Sequence, residues 1–585
     1  MRKRAAGLGL ALAGVWLTAG LVGFSREMGH WLAWAAAFAL LGWLNIRFFS
    51  LPDRRARRVF GGLGFLFVCA QAAGLRLDAA GETGAAGLAM CLGAGACLAP
   101  AAGYAFWLGQ KALCGLSQSP EGRMSARRVY GLCLACLLLC WLPVYLAYWP
   151  GVSSYDIYTQ MDEILSGQLT NRNPLLHTLV MGGLYLLGQR FGRPDVGYTL
   201  FVLLQMAVMA ACYAAVMRYL WQKRAPRALF WTALALFAVF PVHSVLAVSD
   251  TKDALFTAFL CLLVIRLHRV YERRELLRSG RFWAGFLTLT TLMCLMRNNA
   301  FTGLILLLPV GLWALGRDNR RRVAALALSA LALYAGAGNG LKALFGASGG
   351  LVTEWVSVQS QQMGRVYALY SEQDPDNAYE IAYYLPTVEN YTPYTADPLK
   401  TFANVRQPDR LWGFIKLWGR IGLSYPLTYL DAWLLNTKGY WQLSDVSHAH
   451  IYSQGVEDRR GYLLLQSADG LGLSLNSRLE SLEKLYTALL AGNEYQRFPV
   501  LSLLFAPATW LWLCAGALAT ALWRRDRRTC LMIALVAGSF LPLLFGACVL
   551  IRYAYPFVSC MPLFALSVWQ AGAKPPVTAQ SEAGE

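Results

Sequence analysis

Long apolar runs separated by short charged segments dominate the chain. Most runs have about 17–25 residues, the length that a helix needs to cross the hydrocarbon core of a bilayer. Fourteen such runs predict transmembrane helices, at about residues 7–24, 31–49, 59–75, 84–107, 129–148, 197–219, 229–248, 254–269, 282–296, 299–316, 323–345, 499–522, 530–551 and 554–571. The pattern therefore predicts an all-α polytopic membrane protein with about 14 transmembrane helices.

Positive charge is concentrated in the short loops between these runs. The basic loops lie at residues 53–58, 108–128, 220–228, 270–281, 317–322 and 524–528. By the positive-inside rule these loops are cytoplasmic, which also places both termini in the cytoplasm of a multi-pass protein of the cell membrane. The apolar segment 174–190 would reverse this order if it crossed, so we predict that it lies in the interface or is re-entrant.

Composition supports the membrane assignment and excludes two other classes. The residues are 57% hydrophobic and only 15% charged, with a mean hydropathy of +0.41, whereas soluble proteins carry about a quarter charged residues. The basic loops hold much of the positive charge behind the net charge of +19, so the predicted partner is the lipid bilayer and not nucleic acid. The fourteen cysteines lie almost wholly in apolar runs, which excludes a secreted disulfide scaffold.

The same pattern divides the chain into five parts. They are an N-terminal four-span extension (1–128), a core with its first long exterior loop at 149–197 (129–345), an extracytoplasmic segment (346–497), three C-terminal spans (498–571) and a cytoplasmic tail (572–585). The extracytoplasmic segment is of mixed character, with 16 Asp and Glu against 12 Lys and Arg. Leucines at helical spacing predict an amphipathic helix within residues 474–492.

The first long exterior loop holds the leading catalytic candidate. Its opening sequence, WPGVSSYDIYTQMDEILSGQLTNRNPLLH, is too polar to enter a bilayer and carries Asp156, Asp162 and Glu163. Asp156 lies either near the chemistry or at the N-cap of the short helix that follows it. Asp162 and Glu163 are predicted to lie on a solvated face. His177 is either a substrate contact or a structural histidine of an apolar helix.

Three cations interrupt hairpins at the predicted outer helix ends, namely Lys252, Arg297 and Arg552. Ionisable groups at such positions are costly enough to be functional candidates, and the fork of an arginine suits a phosphate oxygen. The alternative is that each cation pairs with a nearby acid, such as Asp250 or Asp253 beside Lys252, or extends its charge to the interface. Because all three lie on one face, they favour an anionic ligand.

Motifs for nucleotide or metal chemistry are absent from the sequence. It contains no P-loop, dinucleotide fingerprint, HExxH or GxSxG motif. His448 and His450 have the spacing of metal ligands, but they lack a cysteine and an evident carboxylate partner, so a loop is favoured there. No cofactor is therefore assigned, and a divalent metal, Mg or Mn, stays open.

Several short motifs, in their order along the chain, resemble those of a known superfamily. They are YWPGVSSYD (148–156), NPLLHT (173–178), KD (252–253), RNN (297–299), VSVQSQQMGRVY (356–367), YTPYTADPLK (391–400) and RYAYP (552–556). The arrangement resembles the GT-C superfamily of integral-membrane glycosyltransferases, and more closely a group of uncharacterised bacterial membrane proteins placed near it. The resemblance covers about residues 129–571, and the first four spans look like an extension.

The resemblance implies a role for each matching residue. Asp156 would be the general base or would orient the acceptor, and three cations would hold the lipid-linked phosphate: Lys252, Arg297 and Arg552. The resemblance also groups further residues with the substrate: Tyr155, His177, Asp253, Asn298, Asp397 and Lys400. Asp397 and Lys400 belong to a recurring exterior motif without an assigned role. One position departs from the usual pattern, because Asn173 stands where a histidine is expected before the proline of NPLLHT.

The expected function is a membrane glycosyltransferase that moves a sugar from a polyprenyl-phosphate carrier to an extracytoplasmic acceptor in the cell envelope. A carboxylate within hydrogen-bond reach takes the acceptor proton, and cations near the phosphate stabilise the charge of the leaving group. Two alternatives stay open. One is a transporter or flippase of a lipid-linked saccharide, and the other is a non-catalytic envelope assembly protein that binds through residues 346–497.

Overall fold

The computed structural model describes residues 2–22, 28–120, 124–153, 156–350, 352–443, 471–491 and 498–572. Over these residues the chain is almost wholly helical, and its β-structure is limited to isolated bridges. Tyr155, His448 and His450 lie outside the described residues.

The helices before residue 350 include the long apolar ones. They are α1 (Arg2–Val22), α2 (Met28–Phe49), α3 (Arg54–Ala80), α4 (Gly84–Cys114), α5 (Ala126–Ala147), α6 (Asp156–Ser166), α7 (Leu175–Arg190), α8 (Pro194–Gln222), α9 (Arg227–Val239), α10 (Pro241–Ala247), α11 (Asp253–Glu272), α12 (Gly280–Met296), α13 (Thr302–Ala314) and α14 (Arg320–Phe345).

Shorter helices follow, and three apolar helices close the chain. They are α15 (Ser357–Tyr370), α16 (Pro375–Tyr384), α17 (Asp397–Lys400), α18 (Pro408–Ser424), α19 (Pro426–Thr437), α20 (Glu480–Tyr486), α21 (Pro499–Phe505), α22 (Pro507–Arg524), α23 (Arg527–Phe540) and α24 (Ile551–Gly572).

Nine helices of the described chain are long and apolar enough to cross a membrane, or ten if the bent pair α9–α10 forms one span. The prediction of an all-α polytopic membrane protein is confirmed at this level. Three more predicted spans coincide with shorter apolar helices, Ala33–Phe49, Gly280–Met296 and Asn298–Ala314. The total of fourteen spans stays a prediction. Helix α7 is not among the candidate spans, and the location of residues 174–190 in the interface stays a prediction.

Two predicted spans are broken by proline. Residues 229–248 form α9 and α10, which are bent by 47° at Phe240, and residues 499–522 form α21 and α22, separated at Ala506. Proline lacks the N–H that a continuing helix needs, and its ring disfavours the helical conformation of the residue before it. Pro241 and Pro507 therefore each begin a new helix. The predicted amphipathic helix within 474–492 is also shorter than expected, because α20 ends at Tyr486 and a π turn follows.

The main core lies between α5, α8, α11 and α24, where large side chains such as Trp141, Tyr213, Phe256 and Tyr555 are fully buried. Large apolar side chains on other faces, such as Leu139 and Trp231, point outward. These helices are apolar both on the face that packs into the core and on the face that points outward. Lipid would cover the outward faces, so this pattern fits membrane helices.

Residues between α14 and α21 include a small helical unit with a core of its own. Val356 and Met363 pack there with Ile381, Phe414 and Ile421, separately from the core of the long helices. Further along, the segment 471–491 lies against the start of the first long loop, since Asn476 N donates to Trp149 O at 2.8 Å. The predicted extracytoplasmic segment is thus mostly helical where it is described, and it contacts the loop that carries Asp156.

Candidate functional site

Four helix ends meet at one end of the bundle. Helix α12 ends there, and α6, α11 and α24 begin there. The polar residues that flank these ends come together although Asp156 and Arg552 are 396 residues apart in the chain. One predicted catalytic residue and the three predicted cations belong to this group.

A short backbone pairing positions the loop before Asp156. Val152 N donates to Val248 O at 2.9 Å, and Asp250 N donates to Val152 O at 3.1 Å. Gly151 enters this pairing with a φ of 153°, a conformation that favours glycine. A Cβ on Gly151 would lie 2.7 Å from Val202 Cγ2. The PG turn therefore allows a close approach to α8 that brings the loop onto the segment carrying Lys252.

Asp156 shares one carboxylate oxygen between two cations. Its Oδ2 lies 3.0 Å from Lys252 Nζ and 3.3 Å from Arg552 Nη1. Arg552 Nη1 also lies 3.6 Å from Asp253 Oδ2 and 3.4 Å from Thr251 Oγ1. Asp156 begins α6, so its side chain leaves the first turn of that helix towards the cations.

Asp253 and Arg297 form the inner end of the group. Arg297 donates to Asp253 Oδ1, and the Arg297 guanidinium lies 5.4 Å from the Phe256 ring and 5.2 Å from the Tyr553 ring. All three cations thus pair with acids, as one interpretation of the sequence expected. They do so in one shared group, which we call the ion cluster: Asp156, Lys252, Asp253, Arg297 and Arg552.

The ion cluster becomes more accessible from Asp253 towards Asp156. The exposed fraction of the side chain is 0% for Asp253 and 8% for Arg297, but 19% for Lys252 and 26% for Asp156. Burial alone would raise the pKa of Asp156, but the charges of Lys252 and Arg552 outweigh it and hold the pKa of this carboxyl well below its usual range. Asp156 is therefore a carboxylate whose negative charge is held by its neighbours.

Asn173 and His177 border the ion cluster from the predicted interfacial segment. Asn173 Oδ1 accepts from Lys252 Nζ at 2.6 Å, so the asparagine that departs from the family pattern is a direct contact of a cluster cation. His177 is buried, and its Nδ1 lies 3.2 Å from Gln160 Nε2. Burial and the charge of Lys252 lower the pKa of His177 to about 4, so the imidazole is neutral at physiological pH.

His177 also carries an unused polar atom. With Gln160 Nε2 as the donor, His177 Nδ1 accepts and the ring proton resides on Nε2. Nε2 has no hydrogen-bond partner among the residues that the structure describes. Buried polar atoms without a partner are rare, so this atom is a candidate for a ligand contact.

The remaining predicted site residues lie in neighbouring contacts. Asn298 Nδ2 donates to Asn171 O at 2.8 Å, which ties the end of α12 to the first loop. Asp397 Oδ1 lies 3.2 Å from Lys400 Nζ, and Lys400 also pairs with Glu354. Burial would lower the pKa of Lys400, but the two carboxylates outweigh it and raise this pKa. Asp397 and Lys400 therefore form a second ion group around Glu354.

The two ion groups meet the same stretch of the first loop. Arg172 Nε lies 3.9 Å from Glu354 Oε1, and the next residue, Asn173, accepts from Lys252. The backbone adds a second link, because Ala396 N donates to Ala547 O at 2.8 Å, shortly before Arg552. The helical unit after α14 is thus joined to the rim of the ion cluster.

Sequence reasoning missed several of these residues. Gln160, Thr251 and Glu354 carry no motif that marks them, and they were found only by their contacts. The prediction that Glu163 lies on a solvated face is wrong. Glu163 is buried and accepts from Thr170 Oγ1 at 2.6 Å, so it closes the loop that leads to Asn173, whereas Asp162 is exposed as expected.

A metal site is not formed by the described side chains. Over that part of the chain, no group of three or more His, Cys, Asp or Glu residues comes together in a way that would hold a metal ion. The two carboxylates of the ion cluster are instead held by cations.

The fold and the cluster together define a polytopic helical membrane protein with a partly open, ion-paired polar site at one end of its helix bundle. The chain belongs to DUF6020, a family of unknown function, which matches residues 165–582. Helices α1–α5 and Asp156 precede the matched residues. No curated protein and no solved structure matches the chain.

Proposed function

We propose that the protein is a GT-C-like membrane glycosyltransferase. It moves a sugar from a polyprenyl-phosphate carrier to an acceptor on the extracytoplasmic side, without an assigned metal. The observation that carries the proposal is the arrangement of Asp156, whose carboxylate shares Lys252 and Arg552 at an accessible edge of a buried ion cluster. A carboxylate next to cations is the pair of groups that this reaction needs.

The reaction breaks the bond between the anomeric carbon and the phosphate oxygen and leaves the carrier as a polyprenyl phosphate. Negative charge develops on that oxygen as it departs, and pre-positioned cations stabilise it. The acceptor oxygen forms the new bond to the anomeric carbon, and its proton passes to the carboxylate of Asp156. Lys252 and Arg552 serve the leaving group in this scheme.

Binding of the carrier phosphate would itself activate Asp156. The low pKa of Asp156 comes from Lys252 and Arg552, and in that state the carboxylate is a weak base. A phosphate that takes a share of the two cations weakens their hold on the carboxylate, so the pKa of Asp156 rises towards its usual value. Proton acceptance is thereby coupled to the presence of the donor substrate.

The inner residues of the cluster have a different role in this proposal. Asp253 and Arg297 are buried, and Arg297 is flanked by two aromatic rings. Arg297 and Asp253 therefore act as positioning residues that hold Arg552. The residues that meet the substrate are Asp156, Lys252 and Arg552. Asn173 orients Lys252, and His177 Nε2 offers a further donor to the sugar or phosphate.

The experiment measures sugar transfer by membranes that contain the protein, supplied with a panel of labelled polyprenyl-phosphate sugars. Asp156→Asn keeps the size of the side chain and removes its charge. We expect transfer to fall at least a hundredfold, as for loss of a general base. Asp162→Asn is the matched control, because Asp162 is an exposed acid of the same helix. Transfer at the wild-type rate by Asp156→Asn would remove Asp156 from the mechanism.

A transporter of a lipid-linked saccharide is the second candidate. The bent pair α9–α10 favours it, because discontinuous helices often form transport sites. The ion cluster lies at helix ends and not midway along them, which favours the transferase. Movement of a labelled lipid-linked sugar across vesicles that contain purified protein, at equal rates for wild type and Asp156→Asn, would establish transport instead.

A further inference from the structure

A second charged site lies at the opposite end of the bundle from the ion cluster. A cavity of about 780 Å³ opens between α8, α11 and α12, near the C-terminal ends of α8 and α11. Along α11 its residue Arg266 is about 20 Å from Asp253 at the rise of an α-helix. We call this the basic cavity, and nothing in the proposed transferase reaction uses it.

Five arginines line the basic cavity. They are Arg218, Arg266, Arg269, Arg273 and Arg281. None of them forms an ion pair with a carboxylate of the described chain. Glu272 also lines the cavity, but it pairs with Lys223 and lies 3.7 Å from His268 Nδ1. Glu272 and Lys223 both line the cavity and offset each other. The five arginines lack a carboxylate partner in the described chain and repel one another, so the cavity has the charge of a site for an anion.

Other contacts hold some of these arginines without neutralising them. The Arg269 guanidinium lies 4.9 Å from the centre of the Tyr219 ring, and its Nη2 lies 3.4 Å from Gln222 Oε1. The Arg266 guanidinium lies 5.9 Å from the Phe282 ring. An arginine has five N–H donors, so most donors of both side chains stay available to a ligand.

The positive-inside rule alone does not explain this arrangement. That rule concerns charge in the loops, whereas Arg218 and Arg266 lie within α8 and α11, before the helix ends. Their side chains line the same cavity as Arg273, at the end of α11, and Arg281, in the first turn of α12. Arginines from three helices therefore converge on one cavity. This convergence indicates a binding site, in addition to the charge bias that orients the protein in the membrane.

The lining changes from charged to apolar along the helices. Arg273 and Arg281 lie at the helix ends. Nearer the middle of the bundle lie Leu262, about three turns from Arg273, and Leu289, about two turns from Arg281. A soluble phosphate compound does not need these apolar side chains at the inner end of the cavity. A phospholipid does, because its phosphate lies at the interface and its acyl chains extend towards the hydrocarbon core.

We propose that the basic cavity binds an anionic phospholipid, with the phosphate on its arginines and the acyl chains along Leu262 and Leu289. The end of the bundle that holds the cavity is the one that we predict to be cytoplasmic, where the leaflet is rich in anionic lipid. This binding site is independent of the proposed transferase and would stand if that proposal failed.

The test titrates the purified full chain in detergent with phosphatidylglycerol and counts bound lipids by native mass spectrometry. Phosphatidylcholine with the same chains is the reference, and we expect it to bind at least tenfold more weakly. The double variant Arg269→Gln/Arg273→Gln should lose at least tenfold in phosphatidylglycerol affinity, since each arginine contributes about fivefold. The matched control is Arg278→Gln/Arg321→Gln, which removes two exposed arginines outside the lining.

Three results would overturn the proposal. They are equal affinity for the two lipids, equal losses in the two double variants, and displacement of the lipid by millimolar inorganic pyrophosphate that itself binds with the same arginine dependence. The last result would assign the cavity to a soluble phosphate compound. If the double variant is not monodisperse on size exclusion, Arg281→Gln replaces it, with an expected loss of about fivefold against Arg278→Gln alone.

Discussion

Arg552 joins the two carboxylates of the ion cluster, so its removal should destabilise the protein measurably. Its Nη1 lies 3.3 Å from Asp156 and 3.6 Å from Asp253. At an effective dielectric constant of about 20, each pair has a gross Coulomb energy of about 5 kcal/mol. Most of this is offset by the cost of burying the charges, and removal of one partner of a buried pair costs about 3–5 kcal/mol.

We expect Arg552→Gln to cost about 3 kcal/mol, the lower end of that range, because each carboxylate keeps another cation. Asp156 keeps Lys252, and Asp253 keeps Arg297. For a cooperative unit larger than 200 residues, this corresponds to a fall in Tm of about 6 °C. Arg552→Lys keeps the charge but loses the fork, so its Tm should lie between those of Arg552→Gln and the wild type.

The structure offers a direct assay for this change. Buried free cysteines such as Cys212 and Cys261 become accessible to a thiol-reactive dye when the helices separate. The matched control is Arg420→Gln, which breaks an exposed pair with Glu380 at 2.8 Å. Exposed pairs contribute about 0–1 kcal/mol, so its Tm should change by less than about 2 °C. Equal shifts for Arg552→Gln and Arg420→Gln would refute the argument that burial makes the cluster important.

Three further predictions concern residues around the cluster. Gly151→Ala should lower Tm and sugar transfer together, because its φ of 153° disfavours alanine and the Cβ would press on Val202; a normal Tm would contradict this. The folded protein holds His177 neutral, with a pKa of about 4 against 6.5 for a free histidine. The free energy of unfolding is therefore highest above pH 6.5 and falls by about 3 kcal/mol as the pH decreases to 4. His177→Gln should therefore flatten the fall of Tm between pH 7.5 and pH 5, and an unchanged slope would count against it. Asp78→Asn removes the carboxylate that pairs with the buried ammonium of Lys438 and should lower Tm by about 2–4 °C, whereas a Tm equal to that of wild type would mean that the pair contributes nothing.

The helices could be predicted from the sequence because apolar length is a local signal. The breaks at Phe240 and Ala506 could be predicted from the sequence only in part. Pro241 and Pro507 are visible in the sequence, but membrane helices often contain proline without breaking, as α5 does at Pro143. The backbone at the two breaks is set by packing, which the local pattern does not record.

All five members of the ion cluster could be proposed from the sequence and its resemblance. Four lie at apolar helix ends, where a charge is conspicuous, and Asp156 lies in a loop that is too polar to enter a bilayer. Their pairing could not be predicted. Proximity in the chain suggested Asp250 or Asp253 as the partner of Lys252. In the structure Lys252 pairs with Asp156 and donates a hydrogen bond to Asn173. Loop closure between distant segments decides such contacts, and sequence spacing carries no information on it.

The basic cavity was hidden for a related reason. Arg273 and Arg281 were assigned to a cytoplasmic loop, which is a sufficient explanation for either residue taken singly. The other three arginines lie within predicted spans and were not singled out. Only the packing of α8, α11 and α12 shows that they line the same space. Glu163 was misjudged similarly, because the turn that brings Thr170 onto its carboxylate is not marked by a motif.

The most direct test of the central claim is a structure of the purified protein with a polyprenyl phosphate added. We expect the phosphate to lie within hydrogen-bond distance of Lys252 and Arg552, about 3 Å from their nitrogens, and beside Asp156. A phosphate that lies only in the basic cavity, or an ion cluster unchanged at saturating lipid, would contradict the assignment of the cluster as the donor site.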